Sequence, residues 1–170
     1  MRTTNVYILA DVSYRAEKYS KRMQQFIINA ERVAQVLPRV QTHVIGFNDR
    51  AKILAPYEQL KCNGNQNFAV ALDFLDNILQ YNKRYRLKST RSIIIWLSSP
   101  GIINCYENAF YNINKQAEFA NAIRYVISYG IADKCTKEAR YLFATNINGV
   151  LDCFSENRLK RLVEQIKKSI

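Results

Sequence analysis

Short apolar runs of β-forming residues alternate with longer stretches of helical periodicity along this whole sequence, and that alternation constrains the fold more than any other feature. Asn5 to Asp11 (NVYILAD) is apolar at successive positions, as a strand covered on both faces must be. Met23, Phe26, Ile27, Ala30, Val33, Ala34 and Leu37 then recur at spacings of three and four, one apolar stripe on a helix from about Glu17 to Leu37 that Pro38 stops. Gln41 to Phe47 reads as a second strand, Asn48-Asp49-Arg50 as a hairpin turn, and Ala51 to Ala55 as a short third strand ended by Pro56. Phe68, Ala71, Leu72, Leu75, Ile78 and Leu79 mark the buried face of the next helix, and Arg91 to Leu97 (RSIIIWL) is apolar enough to be a central strand.

The pattern continues with a weaker helical stretch from about Tyr106 to Phe119, a strand over Ala122 to Tyr129, a short helix over Lys134 to Ala144 and a strand over Val150 to Phe154. Ser155 is placed to cap the closing helix, whose apolar face holds Leu159, Leu162, Val163, Ile166 and Ile170. Strands separated by helices require right-handed crossovers and a mostly parallel sheet, while the 48–50 connection is short enough only for a hairpin. The predicted fold is therefore a doubly wound α/β sheet of about six strands in one domain over 1–170, with 51–55 antiparallel at one edge.

Composition excludes several classes. Hydrophobic residues make up 48% and charged residues 23%, an ordinary globular balance. No apolar run approaches the roughly 20 residues of a membrane span, and the run after Met1 is too short for a secretory signal, so a cytoplasmic protein with no membrane partner is expected. The four cysteines, Cys62, Cys105, Cys135 and Cys153, are scattered without the close spacing of a zinc site. The net charge of +11 favours an acidic partner, whether a protein surface or nucleic acid.

Several segments in the same order resemble von Willebrand factor A domains: VYILADVS, the first strand with its D-x-S-x-S ending; HVIGFNDRAKILAP, the second and third strands; GNQNFAVALDFL, the loop and helix start usually written G-G-T-N-x-x-x-A-L; IIIWLSSPG, where a strand ends in T-D-G; RYVISYGIADK; and GVLDCFSENRLKRLVEQI. The feel is closest to small bacterial single-domain members of the tellurium-resistance and stress type. Domains of this kind recognise protein partners, and the resemblance implies a Rossmann-like fold with a metal ion-dependent adhesion site at the carboxyl edge of the sheet. That site holds Mg²⁺ with oxygen ligands, which suits a hard cation.

Here the site is degenerate. Asp11 and Ser13 keep their places, Arg15 stands at the second serine, Gln66 at the loop threonine and Ser99 at the second aspartate. With three of the five ligand positions changed and a cation among the replacements, no cofactor is expected. Mg²⁺ at Asp11 and Ser13 is the alternative. The expected partner-binding set is Asp11, Ser13, Arg15, Asn48, Gln66 and Ser99, and Arg15 is expected to fold back onto Asp11 and supply internally the charge of the ion.

No catalytic group can be nominated. The lone His43 falls inside a strand expected to be buried, without a nucleophile elbow or a second histidine to pair with, and Asn63-Gly-Asn65 lacks the Lys-Ser/Thr of a phosphate loop. From Asn77 to Tyr106 no residue is acidic, and Lys83, Arg84, Arg86, Lys88 and Arg91 cluster beside Tyr81 and Tyr85. Such a patch can grip phosphates and stack bases, which makes nucleic-acid binding the alternative to protein binding. It leads into the amino end of a strand and so lies at the sheet edge opposite Asp11.

Overall fold

A computed structural model describes residues 3–85, 89–100, 105–152 and 156–169. Its strands are β1 (Thr3–Asp11), β2 (Val40–Phe47), β3 (Ala51–Leu54), β4 (Ser89–Ser98), β5 (Ile123–Ser128) and β6 (Val150–Asp152). They form one sheet in the order β3-β2-β1-β4-β5-β6, parallel throughout except for β3, which pairs antiparallel with β2 at the edge. The hairpin is as the short 48–50 connection dictated, and the interior position of the 91–97 strand is as its apolar run implied. Asn48 makes the turn, its backbone amide donating to the Arg50 carbonyl at 2.9 Å and its side-chain oxygen accepting from the Arg50 amide at 3.0 Å.

Among the described residues six α-helices cover the sheet: α1 (Ser20–Val36), α2 (Phe68–Arg84), α3 (Glu107–Asn114), α4 (Ala117–Ala120), α5 (Lys134–Phe143) and α6 (Glu156–Ser169). A 3-10 turn over Tyr14–Tyr19 precedes α1, so the helix proper starts three residues later than its apolar stripe suggested. The stretch expected as one helix over 106–119 is divided into α3 and α4, because Gln116 adopts an extended backbone between them. Ser155 and the end of the Val150 to Phe154 strand lie outside the described residues, as do the Leu159 and Ile170 side chains.

Alternation along β1 feeds two cores. Val6, Ile8 and Ala10 pack with Met23, Phe26 and Ile27 of α1 and with Leu162 and Ile166 of α6. Tyr7 and Leu9 face the other layer, built from α2, α3, α4 and α5. There Phe68 stacks on Trp96 with ring centroids 3.9 Å apart and meets Phe47, Tyr106 and Phe143 at 5.9 to 6.2 Å. His43 is half-buried rather than a core residue, since the amino half of β2 is only partly covered; its ring stacks on Tyr7 at 5.1 Å and burial lowers its pKa.

Phe68 also ends the loop that carries Gln66, so it ties the aromatic core to the carboxyl edge of the sheet. Phe68→Ala would remove a fully enclosed ring, and is expected to cost about 3–5 kcal/mol in urea denaturation. A loss under about 1 kcal/mol would mean that Trp96 collapses into the space.

Candidate functional site

In an open sheet of this kind ligands bind beyond the carboxyl ends of the strands, where the order reverses. Here the reversal lies between β1 and β4, so the crevice opens between the end of β1 at Asp11 and the loop after β4 at Ser99. The loop after β3 closes a third side. The Asn63 amide donates to the Val12 carbonyl and the Tyr14 amide to the Gly64 carbonyl, each at 2.9 Å. Asn48 adds its side-chain amide to Asn63, bonding the backbone oxygen at 2.9 Å and Oδ1 at 2.8 Å. These bonds bring Asp11, Ser13, Asn48, Gln66 and Ser99 to one place from four separate segments.

Asp11 is the centre, with no exposed surface. Its Oδ1 accepts from the Ser13 amide at 2.9 Å; its Oδ2 accepts from Gln66 Nε2 at 2.8 Å and from the Ser99 hydroxyl. Burial raises the Asp11 pKa, while hydrogen bonds from Ser99 and Ser13 pull the other way. The Ser13 hydroxyl faces the carboxylate closely enough to favour its charge, yet it is not in hydrogen-bonding geometry. Ser13 Oγ and Gln66 Oε1 are both buried without a hydrogen-bond partner.

Arg15 is not where it was expected. Its side chain is exposed, with the guanidinium 5.1 Å from the centre of the Tyr14 ring, and no ion pair with Asp11 forms. The 3-10 turn carries position 15 outward, and Gln66 and Ser99 already occupy the carboxylate oxygen it would have needed. A guanidinium left in water avoids the desolvation that pairing would demand.

A buried cation stands at this edge, Arg140 on α5, a residue the sequence reading did not single out. It is 3% exposed. Its Nε donates to Ser98 Oγ at 2.9 Å, Nη2 reaches the Ser98 and Ser99 carbonyls at 3.3 and 3.0 Å, and Nη1 donates to the Ser128 hydroxyl. The guanidinium thus fixes the loop that offers the Ser99 hydroxyl to Asp11. A signal was present: Thr136, Ala139, Arg140 and Phe143 share the inward stripe of α5, which places this arginine inside.

Around the crevice lies an exposed rim. Tyr14 is 51% and Ile131 92% exposed. The loops carrying them adjoin at Gly130, whose φ of 72° and contact with Tyr19 leave no room for a Cβ. Within the basic patch Lys83, Arg84 and Arg91 are exposed, while Arg86 and Lys88 lie outside the described residues. Among the described residues no three His, Cys, Asp or Glu side chains form a metal-binding cluster, and no helix is long and apolar enough to cross a membrane.

A six-stranded doubly wound sheet with one antiparallel edge strand and a crevice built on the first strand's terminal aspartate defines a class, and solved structures identify it. The chain has the von Willebrand factor A fold. It is similar to the vWF domain of the type V pili tip protein Mfa5 from Porphyromonas gingivalis, with a TM-score of 0.72 and 10% identity over 99% of this chain and 96% of that one. The pilus adhesin SpaC from Lactobacillus rhamnosus GG matches with a TM-score of 0.70 and 12% identity, over 99% of this chain and 30% of SpaC. Proximal thread matrix protein 1 from the mussel byssus, in a form with a zinc-occupied MIDAS motif, gives 0.68 and 15% identity, over 97% of this chain and 46% of that one. The chain therefore spans less than half the length of the mussel protein. No protein-family model matches the sequence, and no curated protein matches it.

The raised pKa of Asp11 has a consequence for stability. A carboxyl whose folded value exceeds its unfolded value binds its proton more readily in the folded protein. Stability therefore falls as pH rises from the unfolded value through the folded one, and the full cost stands above it. Asp11→Asn removes this titration, so the variant's urea midpoint should gain on that of the wild type as pH is raised from about 4 to about 7. A difference that stays flat over this range would show that Asp11 titrates alike in the folded and unfolded chain.

Proposed function

We propose that this protein is a non-enzymatic interaction module that binds a protein partner at the carboxyl edge of its sheet, without a metal ion in the crevice. The observation that carries this reading is that both oxygens of Asp11 accept from the protein's own donors, the Ser13 amide, the Gln66 amide and the Ser99 hydroxyl. A divalent ion here would find one carboxylate, with both oxygens already accepting hydrogen bonds and a buried guanidinium behind Ser99. The partnerless oxygens, Ser13 Oγ and Gln66 Oε1, are neutral and cannot replace the missing second carboxylate. The donor set does not fit Mg²⁺, and the hydrogen bonds take over the ion's structural work of holding the three loops together.

Binding then falls to the rim. In adhesion sites of this fold the ion meets a carboxylate from the partner, and here Arg15 presents a cation outward at the same mouth, stacked on Tyr14 and so restrained. The Tyr14 ring supplies exposed aromatic surface against it, and Ile131, exposed on the loop after β5 at the same edge of the sheet, adds an aliphatic one; aromatic, aliphatic and arginine anchors are what interface centres are built from. An acidic side chain flanked by apolar residues is the partner chemistry that fits. The pilus proteins among the structural neighbours, one of them named an adhesin, support a recognition role over a catalytic one.

Millimolar Mg²⁺ or Mn²⁺ should leave the melting temperature unchanged, whereas an ion at about a hundred times its dissociation constant would add about 2.7 kcal/mol of stability. Capture of the native partner from host lysate should persist in EDTA and be lost in Arg15→Glu and Ile131→Asp, whose melting temperatures should match the wild type. Metal-dependent stabilisation abolished by Asp11→Ala, or capture indifferent to both rim substitutions, would overturn the reading.

A further inference from the structure

The opposite edge of the sheet carries a second surface that the crevice does not use. α2 starts beside the crevice at Phe68 and runs down the sheet, so its last turn, with Tyr81, Lys83, Arg84 and Tyr85, lies at the amino edge. Tyr81 and Tyr85 are four residues apart and share one face of the helix end. Their ring centroids are 4.4 Å apart at a tilt of 42°, and the side chains are 57% and 56% exposed. Two large aromatic rings in contact with each other and open to water are costly to leave uncovered. Arg84 holds its guanidinium 5.8 Å from the Tyr85 ring centre, and Lys83 is exposed beside it.

The platform is held in place. Between the two tyrosines, Asn82 donates its side-chain amide to the Tyr7 hydroxyl of β1 at 3.0 Å, fixing the helix end to the central strand. α3 packs beside α2 and runs from the end of β4 back toward the same edge. Near its end Tyr111, 65% exposed, lies under the ammonium of Lys115 at 4.4 Å. Of the acids toward this edge, Glu118 of α4 accepts a hydrogen bond from the Ser92 hydroxyl at 2.7 Å, and Asp76, earlier on α2, accepts one from the Gln80 side-chain amide at 3.3 Å. No acidic residue occurs from Asn77 to Tyr106, within a chain whose net charge is +11.

We propose that the amino edge of the sheet is a binding site for single-stranded nucleic acid, with Tyr81 and Tyr85 as the stacking platform for unpaired bases and Lys83, Arg84 and Lys115 as contacts to the phosphates. Stacking uses the ring faces, which every base can match, and the cations supply the salt-dependent attraction. Unpaired bases bring flat faces for the paired rings and phosphates for the cations in one ligand, whereas an acidic side chain engages the cations alone. A duplex would satisfy the phosphates only, because its bases are already stacked and offer no free face to the tyrosines.

The test is fluorescence anisotropy with labelled oligo-dT and oligo-U of about 20 nucleotides, at about 50 and 200 mM salt. Binding should be measurable at the lower salt, fall steeply at the higher, and exceed that of a duplex of equal length. Tyr81→Ala and Tyr85→Ala should each weaken it by about tenfold, and the Lys83→Glu/Arg84→Glu pair should weaken it further and flatten the salt dependence. Tyr81→Phe and Tyr85→Phe keep the rings and should bind as the wild type does, and Arg15→Glu at the far edge should have little effect. No binding at the lower salt would overturn the proposal. So would equal affinity for the duplex, or affinity unchanged in the doubly truncated Tyr81→Ala/Tyr85→Ala variant. Because the probe and the variants belong to the amino edge, failure here leaves the crevice reading intact, and loss of partner capture through Arg15 and Ile131 leaves this one intact.

Discussion

Everything at the carboxyl edge depends on a carboxylate carried to the end of a buried strand. Asp11 sits where β1, flanked by β2 and β4, leaves the sheet with no water to solvate a charge. A buried, unpaired carboxylate is among the most expensive groups a fold can contain. The structure meets that cost with donors drawn from separate segments: the backbone at Ser13, the amide of Gln66 from the loop before α2, and the hydroxyl of Ser99 from the loop after β4. The same bonds fix the loops relative to one another. The crevice therefore keeps its shape by hydrogen bonding where an ion would otherwise have been its centre.

Arg140 extends that network by one layer. Its guanidinium caps the carboxyl ends of β4 and β5 through Ser98, Ser99 and Ser128, so the backbone that presents the Ser99 hydroxyl to Asp11 is itself hydrogen-bonded. Positive charge is thus kept inside the edge but one residue away from the carboxylate, while Arg15 carries a second positive charge outside. Both cations were needed to understand the site, and they do different work: one positions a loop, the other faces a partner.

The two edges are chemically unlike. The carboxyl edge is a hydrogen-bonded crevice with a small apolar and cationic rim; the amino edge carries exposed tyrosines with cations laid over them. The crossover connections explain the separation, because every helix that begins near the crevice must end at the far side of the sheet. The cations in the last turn of α2 lie at the far end of the helix from Asp11, and the high net charge of the chain says little about the crevice.

How much of this was legible in the residues follows from the range of each interaction. Strand and helix periodicities, the hairpin at Asn48-Asp49-Arg50, the interior position of RSIIIWL and the candidate set around Asp11 could all be read along the chain, since they rest on neighbours or on a collinear motif. Gln66 and Ser99 hydrogen-bond to Asp11, and their positions are ones that the motif carries. Arg15 was misplaced because its direction depends on a 3-10 turn, which has no sequence signature as clear as an apolar stripe. Arg140 was missed because its partners lie twelve and about forty residues away, at the ends of two strands that only the sheet brings together. The sequence by itself determined the alternation of layers and the single carboxylate at the end of β1. Only the tertiary structure decided which donors that carboxylate receives and which cation stands inside, because a buried charge is satisfied by whatever the packed segments place within hydrogen-bond reach, and that reach is a property of three-dimensional distance.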